Sequence, residues 1–180
     1  MSHPLNWKKI KFENLVENIT DRIDKPSESG LKHYVGLEHL DTDSIKIKNY
    51  GTPDQVNATK YLAKKGDIIF GKRRAYLRKV AITEYEAVVS AHSMIFRPKV
   101  EVINPRFLPF LLQSSTFWRM ALSISEGSLS PTIKWKTIAK QELYIPDFSE
   151  QEKIANLLWS IEEHISKTEI LLSTLYKLKI

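Results

Sequence analysis

The sequence has no cysteine. Disulfides, thiolate metal sites and a thiol nucleophile are therefore excluded. Glycine is scarce, and among Gly30, Gly36, Gly51, Gly66, Gly71 and Gly127 no two are spaced G-x-G. A dinucleotide-binding turn and a P-loop both use close-set glycines to let backbone approach phosphate, so a cofactor-binding methyltransferase core is not expected. "NPRF" at 104–107 approaches the Asn-Pro-Pro-Phe/Tyr loop of amino-methyltransferases, but Arg106 stands in place of the second proline. No lysine has Asp or Glu two residues before it, the pairing that PD-(D/E)xK nucleases require. His3, His33, His39, His92 and His164 show no metal-ligand spacing. His92 beside Ser93 lacks the third, orienting group of a nucleophile–base pair. The chain itself is expected to have no catalytic residue, no metal and no cofactor. Long apolar runs are also missing: none approaches the ~18 residues of a membrane span. The opening "MSHPLNWKKIKF" lacks the apolar stretch of a signal peptide. The expectation is a soluble, cytoplasmic protein with no membrane partner.

What is present is a foldable, basic chain. With 42% hydrophobic and 10% aromatic residues it can bury a core. The formal charge is +6, which favours an anionic partner. Its distribution says more than its size. Between Lys11 and Asp43 acids outnumber bases, whereas Lys60, Lys64, Lys65, Lys72, Arg73, Arg74, Arg78 and Lys79 face only Asp67. A surface divided this way steers a polyanion to one side.

Periodicity predicts a mixed α+β globular unit over residues 1–148. "FENLVENI" reads as a short helix; "HYVGL", "SIKIKNY", "GDIIF", "YLRKVAIT", "AHSMIFRP" and "LYIP" read as strands. "NPRFLPFLLQSSTFWRMALSI" reads as a helix with Asn104 as N-cap and Pro105 at its first position. Phe107, Phe110, Leu111, Phe117 and Leu122 supply its apolar face, and Pro109 is a candidate break. "SEGSLSPT" is a loop.

Residues 149–180 read as one long amphipathic helix of coiled-coil type, opened by a capping box of Ser149 and Glu152. Ile154, Ile161 and Leu175 share one track; Leu157, Leu171 and Leu178 a second; Leu158, Ile165 and Leu172 a third. Thr168 and His164 interrupt the first two. The stripe either folds back on its own domain or pairs with a partner helix, and its length favours the partner.

With catalysis unsupported, binding remains. Arginine grips phosphate bidentately or reads guanine in the major groove, and lysine acts as a point charge. Lys72, Arg73, Arg74, Tyr76, Arg78 and Lys79 form the principal candidate DNA face, with His92, Ser128, Ser130, Lys134 and Lys136 behind them. Strand alternation predicts Arg78 and Lys79 on opposite faces. A solvated basic surface, on a module that acts through its helix alone, is the competing reading.

The stretches "HYVGLEHLD", "GDIIFGKRRAYLRKVAIT", "FLPFLLQSSTF", "SEGSLSPTIKWKTIAKQEL" and "IPDFSEQEKIANLL" occur in the order found in the specificity (S) subunit of type I restriction–modification systems, which the chain resembles from about Trp7 onward. The resemblance implies a mixed α/β target recognition domain that reads a few base pairs of double-stranded DNA, followed by a conserved spacer helix. It implies a non-catalytic subunit that directs adenine methylation and restriction by separate methylation (M) and restriction (R) subunits. S-adenosylmethionine, ATP and Mg would be bound by those partners. A full S subunit has two such units, whereas one is present here. The chain therefore resembles a half subunit, which restores two-fold organisation only as a homodimer on a split palindrome. A truncated, inert fragment is the alternative.

Overall fold

The run Ile68–Ile69–Phe70, apolar without alternation, marks a strand covered on both faces. It is the middle of the molecule. The structure, a computed structural model, describes residues 7–178. Strand β6 (Ile68–Gly71) pairs antiparallel with β7 (Val80–Ile82) and β9 (Ser93–Pro98), and β9 pairs with β2 (Val16–Ile19), in the order β2-β9-β6-β7. A second four-stranded sheet runs β3 (Arg22–Ile23), β5 (Lys60–Ala63), β8 (Ala87–Val89) and β4 (Tyr34–Val35), with β4 parallel to β8. The chain's ends meet in a separate ladder, where β1 (Lys8–Lys11) pairs with β10 (Glu142–Ile145).

Strand periodicity divides the core in two. From the central sheet, Ile68, Phe70 and Phe96 enter one cluster with Phe12, Phe117 and Trp118. Ile69, Ala81 and Ile95 point the other way, onto Val35, Ala63 and Val89 of the second sheet. Helices α1 (Phe12–Leu15), α2 (Leu108–Gln113), α3 (Ser115–Ser123) and α4 (Trp135–Ile138) cover the first cluster. Trp118 stacks on Phe70 at 5.3 Å and 15°.

Several expectations need correction. "FENLVENI" is helical only to Leu15, because Val16–Ile19 is claimed by pairing with Ile95–Pro98. "SIKIKNY" makes no strand: Ile45 is buried, Lys46 forms an isolated bridge with Ile82, and the rest is loop. The 104–124 helix breaks at Ser114, not Pro109. Ser114 is extended (ψ 146°), and its hydroxyl caps α3 by accepting from Phe117 N. Pro109 sits in the first turn of α2, where its missing N–H costs nothing. Asn104 does turn the chain, accepting at Oδ1 from Arg106 N. The buried side of these helices is Phe107, Leu108, Leu112, Phe117, Trp118 and Ala121, while Leu122 is exposed.

The long helix α5 spans Phe148–Leu178, 31 residues. Its cap is Asp147, whose Oδ1 accepts from Glu150 N at 2.9 Å, so the Ser149–Glu152 box is displaced by two residues. Gln151, 2% exposed, roots the helix: it accepts from Asn104 N at 2.7 Å and donates to Pro146 O at 3.0 Å. Arg106 Nη1 donates to Asn156 Oδ1, and Trp159 Nε1 donates to Arg106 O. "NPRF" is thus the socket of the helix. No helix among the described residues is long and apolar enough to cross a membrane.

Candidate nucleic-acid interface

Two loops meet at one end of the central sheet. After β6 the chain forms a tight 3-10 turn, Ala75–Leu77, between Arg74 and Arg78. The second loop, 126–134, is closed by reciprocal hydrogen bonds between Glu126 and Thr132 backbones, with Gly127 at φ 101° making the bend. The loops are joined through Ala75 N to Pro131 O and Ile133 N to Lys72 O. Lys72 N donates to His92 O, which adds the end of β9 to the same patch.

The side chains follow from this framework. Arg73 and Arg74 are exposed, and Tyr76 is 53% exposed at the tip of the turn. Arg73 Nε donates to Ser130 Oγ at 3.0 Å, and its Nη1 lies 3.5 Å from His92 Nε2. Arg73, Ser130 and His92, far apart in sequence, form one cluster. Ser128, Lys134 and Lys136 stand exposed beside it, with Lys134 paired to Glu126. Lys72 is half-buried at a concavity of about 320 Å³ that includes Tyr61, Thr132 and Trp135. Burial pushes its ammonium below the usual lysine range.

Arg78 and Lys79 do not lie on opposite faces of a strand. Arg78 ends the turn in the left-handed region, and its Nη2 pairs with Asp43 Oδ1 at 2.8 Å. Lys79 Nζ donates to Leu37 O at 2.6 Å. Both cations tie the turn to the 37–43 segment, while Arg73, Arg74 and Tyr76 project from it. No local pattern signals this division, since the acceptors Asp43 and Leu37 lie far back along the chain.

Arg74 (φ 54°) and Arg78 (φ 51°) are left-handed non-glycine residues flanking one turn. That conformation costs roughly 1–2 kcal/mol per residue. Retaining arginine where glycine fits better points to a use for the side chain. Arg74→Gly is accordingly expected to keep or raise thermal stability while weakening duplex binding; a fall in both, in a melting and a binding titration, contradicts this.

His92 is held below the usual histidine pKa by burial first, then by Arg73, Lys72 and Lys60. The free protein therefore carries neutral His92 at pH 7. Phosphates set against the same cations cancel their field and raise that pKa, so the complex holds more protons than the free chain. Binding is then expected to tighten as pH falls below about 7, with uptake of one proton setting a ceiling of about tenfold in affinity per pH unit. His92→Gln should remove the pH dependence, readable by titrations at several pH values.

The predicted helix stripe divides. Ile154 packs on the chain's own core, and Leu158 lines a groove over α2 and α3. Leu157, Ile161, Ile165, Leu171, Leu172, Leu175 and Leu178 are exposed. Lys46 and Lys48, which sequence reasoning assigned to no site, reach α5 from the 44–48 loop.

Residues 4–173 match the sequence model of the type I restriction modification DNA specificity domain. The chain is 26% identical over 155 residues to the type I restriction enzyme EcoDI specificity subunit of Escherichia coli, covering 85% of this chain and 34% of that protein. It is 22% identical over 166 residues to the HindI specificity subunit of Haemophilus influenzae, covering 89% and 36%. Among solved structures, the HsdS subunit from Thermoanaerobacter tengcongensis superposes with a TM-score of 0.73 at 20% identity, over 93% of this chain and 45% of that one. The type I restriction-modification S subunit from M. genitalium gives a TM-score of 0.66 at 15% identity, over 93% and 42%. The chain thus spans about a third of the curated relatives' length and under half of the solved chains.

Proposed function

The chain belongs to the type I restriction modification DNA specificity domain family, and from that premise we propose that it is a DNA-recognition unit that contacts a duplex through the turn carrying Arg73, Arg74 and Tyr76. The observation that carries this reading is the strained turn itself, which holds two exposed arginines and a tyrosine beside Ser130 and His92. The unit performs no chemistry. It directs adenine methylation and restriction by M and R subunits, which bind S-adenosylmethionine, ATP and Mg. A single recognition unit reads a split palindrome by pairing with a second copy through the exposed stripe from Leu157 to Leu178.

The deciding experiment is to express the chain with its cognate M subunit and map adenine methylation across a host genome. A split palindromic motif is the expected result. No methylation, from an M subunit shown active with an intact S subunit, rejects the reading. A simpler measurement comes first. If five or six cations meet phosphates, log K falls with log[salt] at a slope of roughly −5. A slope near zero leaves the basic surface solvated and the protein a helix-mediated interaction module.

A further inference from the structure

We propose that the segment Asp43–Lys48 is a strap that fixes the direction of α5 relative to the arginine turn, and that Lys46 and Lys48 thereby help set the gap between two half-sites. The gap part of this inference rests on the DNA-recognition reading above.

The strap is anchored at three places. At one end, Asp43 Oδ1 accepts from Arg78 Nη2, and Arg78 closes the arginine turn through its own amide to Ala75 O. In the middle, Ile45 is 2% exposed and accepts at its carbonyl from Ile82 N at 2.9 Å. Gln113 Nε2 adds a bond to Ser44 O at 3.0 Å. At the other end, Lys46 Nζ donates to Ser166 Oγ at 2.6 Å and to Glu162 O at 3.5 Å. Lys48 Nζ bridges both carboxylate oxygens of Glu169 at 3.0 and 2.8 Å.

The helix is a rod, and two supports define the axis of a rod. The first is the root at Gln151, Asn156 and Trp159. From Ser160 to Leu178 every residue is exposed except Glu162 and Ser166, the two that Lys46 touches. The strap is therefore the second support. Without it the rod turns about its root.

Small turns matter at this length. The 31 residues of α5 extend about 46 Å at 1.5 Å per residue. A swing of about 4° displaces the far end by about 3 Å, close to the 3.4 Å rise of one base pair. Two rods paired tip to root pass any such error directly to the spacing of the turns they carry. Ion pairs at the surface are individually weak, but here they hold a rigid body against a backbone fixed on its other side.

The absence of cysteine makes the test clean. Spin labels at Glu101→Cys and Ser173→Cys, in chain diluted with unlabelled protein, report one intramolecular distance between domain and rod. A narrow distribution is expected for the native background, and a clearly broadened or shifted one for Lys46→Ala with Lys48→Ala. Ser166→Ala with Glu169→Gln, altering the helix side, should reproduce it, while Lys48→Arg stays narrow. An unchanged distribution in both double variants overturns the strap. In the methylation map, the double lysine variant should keep its half-site bases but accept gaps one base pair longer or shorter. A broadened distance with an unchanged gap overturns the role in spacing. If the native chain directs no methylation, the DNA reading fails and the distance alone decides whether the strap holds the rod.

Discussion

Glutamate at both Arg73 and Arg74 should abolish duplex binding while leaving the fold intact. Each arginine lost from a DNA contact costs about 1–3 kcal/mol, so the pair removes roughly 2–6. At 1.4 kcal/mol per tenfold, that is from about 30-fold to more than 10⁴-fold in Kd. Reversed charge adds repulsion against phosphate. Neither side chain is buried, and exposed substitutions stay within about 0.5 kcal/mol of native stability. The one bond lost from the framework is Arg73 to Ser130, itself exposed. Anisotropy titration at low salt reads the affinity and a thermal melt reads the fold. Native affinity in the double variant would reject the turn as the DNA face.

The opposite outcome is expected at Asp67, the lone acid of the basic tract. It is 1% exposed and carries no free capacity for DNA. Its Oδ1 accepts from Arg97 Nε at 2.8 Å, and its Oδ2 accepts from Arg97 Nη2 at 2.7 Å and Lys64 N at 2.8 Å. The carboxylate thus clamps β9 to the turn that opens β6. Asp67→Ala leaves a partly buried guanidinium and an amide unpaired, and breaking such a pair from one side costs about 3–5 kcal/mol. Against a total of roughly 5–15 kcal/mol, that is a large share. At 2–4 °C per kcal/mol for a chain this size, the melting temperature should fall by roughly 6–20 °C. Asp67→Asn keeps one acceptor and should fall less. A melt within 2 °C of native for the alanine variant, by the same scale, would show that the clamp contributes little.

The contrast between these residues shows what the sequence could and could not reveal. "GDIIF" was legible as a strand because an apolar run of that length has few other uses, and Asp67 at its head gave no hint of Arg97, thirty residues on. "SIKIKNY" alternates like a strand, yet only Ile45 finds a core; Lys46 and Lys48 alternate because they face α5. The break at Ser114 was hidden by Pro109, a louder signal in a harmless position. Ser149 and Glu152 made a plausible cap, but Asp147 lies where the chain leaves β10, and tertiary position decided the start. For the DNA face, charge density located the turn. The separation of Arg73 and Arg74 from Arg78 and Lys79 depends on acceptors in a distant segment, which no local pattern encodes. Likewise the apolar track of α5 was visible, but not that Ile154 and Leu158 belong to the domain.

The ladder of β1 with β10 has a consequence for biosynthesis. Lys8 pairs with Ile145 and Lys11 with Glu142, so the first described strand waits for nearly the whole domain to be made. At roughly 5–20 residues per second, the interval between them is about 7–27 s. During it, β2 also lacks β9, and the apolar β6 has no partner on one side until residue 93 has appeared. Pairings so distant in sequence are slow to form even in a released chain. The nascent protein therefore passes through a long period with sticky strand edges uncovered, and its yield in a cell should respond to chaperone supply and translation speed more sharply than its final stability suggests.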